Sequence, residues 1–151
     1  MSAEPGAAAP SRRLSVAARP WVRRGLALAA CTCIVVIVVL SWSPRGSIAR
    51  TGAPGPLEHL LAYLAAGFVT ALATSRRHHR WVAIGLVAMA GVLEIGQIWV
   101  PGRTSQLIDF AASSVGAVSG IALAVMEAVY QVNGKTEARP LGGRDRFDEV
   151  E

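Results

Sequence analysis

The chain has 151 residues, of which 52% are hydrophobic and only 17% charged, with a mean hydropathy of +0.42. Soluble domains carry about a quarter of their residues charged, so this composition excludes a soluble enzyme, a disulfide scaffold and a disordered basic tail protein. A net charge of +5 would suggest nucleic acid in a soluble chain; in a membrane protein the arginines set topology instead, and no nucleic-acid partner is expected.

Residues 1–24, rich in Ala, Pro, Ser and Arg, read as a disordered basic tail. From Gly25 to Trp42 there is no charge at all, the mark of a membrane span. Its apolar run exceeds the roughly 7 to 15 residues of a signal-peptide core, and Ser41-Trp42-Ser43 is a poor cleavage site, so the segment is expected to remain in place. Cys31 and Cys33 fall inside it; two positions apart on a helix they point to nearly opposite sides and share neither a metal nor a disulfide.

The second span is expected at residues 57–74, with Glu58 and His59 at its start, and is followed by the basic connection Arg76-Arg77-His78-His79-Arg80. The two histidines there are read as exposed, serving topology and headgroup contact rather than metal binding. The third span, 81–100, carries Glu94 and Gln97 near its end, and Pro101-Gly102 then stops the helix and leaves Arg103 at the interface. The fourth, 108–130, opens on Asp109, and residues 131–151 read as a disordered charged tail. Each span approaches the roughly 20 residues that a hydrocarbon core requires. The tryptophans agree: Trp21 and Trp42 lie about 31 Å apart along a helix and Trp81 and Trp99 about 27 Å, each pair bracketing a core of about 30 Å with its rings among the headgroups.

Lys and Arg give the orientation. Arg12, Arg13, Arg19, Arg23 and Arg24, then Arg76, Arg77 and Arg80, then Lys135, Arg139, Arg144 and Arg146 fall on one side, against Arg45, Arg50 and Arg103 on the other. By the positive-inside rule both termini are cytoplasmic. The fold expected is an all-α, polytopic plasma-membrane protein: a compact bundle of four transmembrane helices in contact with the lipid bilayer.

That topology sends Glu58, His59, Glu94, Gln97, Arg103 and Asp109 to the outer surface. Ionisable groups in spans are costly, about 2.5–3.5 kcal/mol at mid-bilayer and less near the interface, so they default to a functional site. Helical spacing groups His59, Tyr63, Ala66 and Thr70 on one stripe, Ala83, Ala90, Glu94 and Gln97 on another, and Asp109, Ser113, Gly116 and Gly120 on a third. Gly116 and Gly120 form a small-xxx-small helix-packing motif. Three such stripes facing one another would close a polar outer pocket of Glu58, His59, Tyr63, Glu94, Gln97, Arg103, Asp109 and Ser113. The spacing also suggests that Arg103 sits between the carboxylates of Glu94 and Asp109, relieving their repulsion. The alternative is that these groups merely lock the helix ends. There is no dinucleotide fingerprint, no P-loop and no zinc-ligand cluster, and no metal or cofactor is expected.

The stretch Glu94-x-x-Gln97-x-x-x-Pro101-Gly102-Arg103-x5-Asp109-x6-Gly116-x-x-x-Gly120, together with Glu58-His59-Leu60-Leu61-Ala62-Tyr63, resembles the signature of VanZ-like membrane proteins. The resemblance covers about residues 25–130. Family members often carry an Asp-Lys pair where this chain has Gly55-Pro56, and Asn where it has Ser113. The resemblance implies a four-span fold, a site at these residues and a link to glycopeptide-antibiotic resistance, without a reaction. Three classes of function follow. In the first, a cell-envelope protein binds a lipid headgroup, a cell-wall precursor or a partner protein through the outer pocket. In the second, an intramembrane enzyme acts on an anionic lipid-linked substrate with His59 as general acid or base; no Ser, Cys or metal-ligand set shares a stripe with His59, which counts against acyl transfer and metal hydrolysis. The third is a small oligomeric transporter, for which neither a broken helix nor an inverted repeat is visible.

Overall fold

The computed structural model describes residues 20–44 and 52–137, and among them every regular element is helical. Helix α1 spans Pro20–Trp42, α2 Gly55–Ala73, α3 His79–Gly96 and α4 Leu107–Glu137, with single 3-10 turns at Arg76–His78 and Gln97–Trp99. Four segments are long and apolar enough to cross a membrane: Pro20–Trp42, Gly55–Ala73, Arg76–Trp99 and Leu107–Gln131.

Local chemistry accounts for the breaks. Pro56 stands in the first turn of α2, where a missing N–H is no loss, and the Pro54 carbonyl receives the amides of Leu57 and Glu58 at 3.0 and 3.2 Å. At the other end the Thr74 hydroxyl donates to the Thr70 carbonyl at 2.9 Å. His79 Nε2 lies 3.1 Å from the Ala71 carbonyl, an orphan acceptor of the last turn. His79 is therefore half-buried and caps α2, a correction to its reading as an exposed histidine; His78 is exposed. The third span tightens into a 3-10 turn after Gly96, and Val100, preceding Pro101, is extended. Gly102 then takes φ +74° and the Arg103 amide closes the turn on the Val100 carbonyl at 3.1 Å. Only a residue without Cβ enters that region freely.

Two boundaries differ from the sequence expectation. Helix α1 begins at Pro20, inside the expected tail, and α4 runs through Glu137, so the tail expected from residue 131 begins as helix. The remainder of both tails, and Arg45 and Arg50, lie outside the described residues.

Packing centres on α2 and α4, which run in parallel register. Gly116 faces the carbonyl of Leu60, Gly120 that of Leu64 and Gly67 that of Ala117. A Cβ at any of the three would collide with main-chain atoms that have nowhere to go. Gly120, for example, lies where a Cβ would be 2.8 Å from the Phe68 amide nitrogen. Ala66 and Ala117 are fully buried between the two helices' neighbours. Small residues thus let the backbones touch, the usual device where lipid removes the hydrophobic drive for helix association. Helix α1 lies against α2, and α3 against α4, with lighter α2–α3 and α1–α3 contacts. The core joins Ile37, Tyr63, Leu86, Ala90 and Leu93.

The outward faces are apolar. Val35, Val39, Ile84, Val92, Val115, Val118 and Met126 are exposed, as suits contact with acyl chains. Trp21, Trp42, Trp81 and Trp99 are all exposed at helix ends, and the Arg80 guanidinium lies 5.2 Å from the Trp81 ring centroid. Cys31 is exposed and Cys33 is partly buried against the core; both are free thiols.

The glycine crossing yields a direct test. Gly116→Ala and Gly120→Ala raise helix propensity yet force the backbones apart, and thermal denaturation in detergent should show a loss of about 1–3 kcal/mol, the usual range for overpacking. Gly85, with nothing within 4 Å of a Cβ, should accept Ala with no loss.

Candidate functional site

The ends of α1 and α3 and the starts of α2 and α4 meet at one end of the molecule, and the polar residues gather there. Buried among them are Ser41, Tyr63, Glu94, Gln97, Asp109 and Ser113, while Glu58, His59 and Arg103 are half-buried. All eight residues singled out from the sequence line one of two adjoining cavities.

Glu94 anchors the arrangement. The Gln106 carbonyl receives the amides of Asp109 and Phe110 at 2.9 and 3.3 Å, which makes Gln106 the residue that opens α4. Its own amide donates to Glu94 Oε1 at 2.5 Å. A carboxylate normally does this from the third position of the same helix; here it arrives from α3 and ties α3 to α4. The positive end of the α4 dipole favours an anion at that point. Asp109 lies in the first turn of the same helix end. Among the described residues its buried Oδ1 has no hydrogen-bond partner, and it faces Gly55, where a Cβ would stand 3.7 Å away.

Across the site, Ser113 Oγ lies 3.3 Å from His59 Nδ1, joining α4 to α2. Gln97 Nε2 donates to Ser41 Oγ at 2.8 Å in a buried bond between α3 and α1. Arg103 Nε donates to the Ser43 carbonyl at 3.2 Å, and its Nη2 donates to the Leu40 carbonyl. A cation there answers both the unpaired carbonyls and the negative end of the α1 dipole. The expected clamp, with Arg103 between Glu94 and Asp109, is not among the hydrogen bonds described. The described hydrogen bonds of the guanidinium hold the end of α1, and the nearest ligand of Glu94 is a main-chain amide.

The three stripes converge as expected for His59 and Tyr63, for Ala90, Glu94 and Gln97, and for Asp109, Ser113, Gly116 and Gly120. Convergence also alters the reading of His59. Ligand atoms of His59, Glu94 and Asp109, one from each stripe, lie within 4.8 Å of one another. No metal-ligand set shares a single stripe with His59, as expected, but this set is assembled across three helices, which a comparison along single helices does not reach. Sequence reasoning also passed over the end of α1. Ser41 shares a face with Ala30 and Ile37, the other buried residues of that helix, and a serine at that spacing in an otherwise apolar run was the available signal.

The larger cavity holds about 490 Å³, walled by Val36, Ile37 and Leu40 of α1, Leu61 and Ala62 of α2, and Ala90 and Leu93 of α3. Only its end is polar, where Glu58, His59, Glu94, Arg103 and Ser113 contribute. The smaller, about 180 Å³, is lined by Gly55, Pro56, Glu58, His59, Gln97, Arg103, Thr104, Gln106 and Asp109.

If Glu94 caps α4, Glu94→Ala should lower stability in detergent by about 1–3 kcal/mol, the range for leaving a buried donor unpaired. Glu94→Gln keeps an acceptor for the Gln106 amide and should recover part of that loss. Equal losses for the two variants would show that the cap contributes nothing.

No family model, curated protein or solved structure matches the chain.

Proposed function

We propose that this chain is a VanZ-like multi-pass protein of the bacterial plasma membrane that binds an amphiphile, with the polar headgroup of a lipid or lipid-linked cell-wall precursor at the outer face. The observation that carries the reading is the shape and chemistry of the larger cavity, apolar along α1, α2 and α3 and polar only at one end. A ligand that fits such a space has a hydrocarbon part and a hydrogen-bonding head. His59 and Ser113 offer adjustable donors and acceptors, and Arg103 offers guanidinium N–H groups suited to phosphate or carboxylate oxygens. The orientation rests on the distribution of Lys and Arg, which assigns the polar end to the outside and both termini to the cytoplasm. The resemblance of Glu58 to Tyr63 and of Glu94 to Gly120 to the VanZ-like signature supports the same location for the site.

Native mass spectrometry of the full chain, released from its own membranes, tests the binding. A lipid adduct should survive detergent exchange in the parent, weaken in His59→Ala, and disappear in Val36→Trp, whose indole would occupy the apolar wall. An adduct indifferent to both substitutions would mean that the cavity holds nothing specific. For the orientation, a reporter active only in the cytoplasm should function when fused at Glu151 or Arg77 and be silent at Arg50; activity at Arg50 would overturn the topology.

A further inference from the structure

We infer that His59, Glu94 and Asp109 form a binding site for a divalent transition-metal ion of the zinc or manganese class. The site goes beyond amphiphile binding and does not depend on it. Three different helices deliver one ligand atom each to a space no more than 4.8 Å across. Donors around a single ion at about 2.0–2.2 Å lie roughly 3–4 Å apart, so small side-chain rotations complete the contraction. Two of the three donors are carboxylates on residues only 7% and 8% exposed. Buried carboxylates are ordinarily paired with a cation or coordinate a metal.

Two further observations point to an ion. Asp109 Oδ1 is buried without a hydrogen-bond partner among the described residues. Residue 55, against which that carboxylate rests, is a glycine and residue 56 a proline, so neither supplies a side-chain donor. His59, for its part, has the outer support that metal-binding histidines show. Ser113 Oγ sits 3.3 Å from Nδ1; when that nitrogen carries the proton, Nε2 is the one left to ligate. One imidazole with two carboxylates suits zinc or manganese better than calcium or magnesium, which take oxygen ligands. The smaller polar cavity adjoins His59 and Asp109 and has room for the waters that would fill the remaining coordination positions.

The test uses the full chain in detergent, free of any histidine tag, stripped with a chelator and titrated with Zn²⁺ and Mn²⁺, with Ca²⁺ and Mg²⁺ as comparators. The parent should take up one Zn²⁺ or Mn²⁺ ion per chain at micromolar concentration, with a rise in thermal midpoint, and bind the comparators more weakly. Asp109→Asn and His59→Ala should weaken uptake by more than about tenfold, and Ser113→Ala by about 10–100-fold, the range for lost outer support. His78→Ala, on the exposed connection at the other end of the molecule, should leave uptake unchanged. Absence of saturable uptake by the parent would overturn the site, even if a ligand variant failed to fold. So would a loss in His78→Ala equal to that in Asp109→Asn, which would place the metal on surface histidines. A parent that binds metal but carries no lipid would leave this site standing and refute the amphiphile reading alone.

Discussion

The contact of the α2 and α4 backbones fixes the positions of everything else in the site. Gly67, Gly116 and Gly120 remove the side chains that would hold the helices apart, and Leu60, Leu64 and Ala117 present main-chain atoms in their place. Because the two helices run in parallel register, the residues that precede the crossing on each are brought level. His59 precedes Leu60 and Ser113 precedes Gly116, so the hydrogen bond between them follows from the register. The dispersion gained along such a contact is individually small and collectively large. It depends on an approach that even one methyl group would forbid.

Charge accounts for the rest of the polar end. Helix termini leave orphan amides and carbonyls, and in a bilayer these have little water to turn to. The structure settles the start of α4 with a carboxylate from α3 and the end of α1 with a guanidinium from the turn that follows α3. Each charged side chain faces the end of the helix dipole opposite to its own sign. Buried polar groups that answer one another in this way hold elements together more specifically than apolar packing does, since each partner has a defined direction.

Much of this was legible in the sequence. The four spans followed from uninterrupted apolarity, and the eight polar residues from their position at span ends. The small-xxx-small pair Gly116 and Gly120 was visible, but its counterpart was not, because what it meets is main chain, and sequence patterns register only side chains. The same limit explains Arg103: a search for its partner among acidic residues finds Glu94 and Asp109, whereas its described hydrogen bonds end on the carbonyls of Leu40 and Ser43. It explains Glu94 too, whose partner is the Gln106 amide. The set of His59, Glu94 and Asp109 escaped notice for another reason. Periodicity orders residues within a helix, while the distance between residues on different helices depends on crossing geometry that no single helix encodes. His79 looked exposed because its neighbours are arginines, yet its ring reaches back eight residues to the last turn of α2.

Helix α1 differs from the other three in how it is held. Along its 23 residues it buries only Ala30, Ile37 and Ser41, and the side chains of Gln97 and Arg103 bond its polar end. It also forms one wall of the larger cavity. Separating α1 from its neighbours exposes apolar surface to acyl chains that are themselves apolar. Separating α2 from α4 would undo main-chain contact along the whole crossing. A sideways route between the bilayer and the cavity along α1 would leave the pairing of His59 with Ser113 undisturbed.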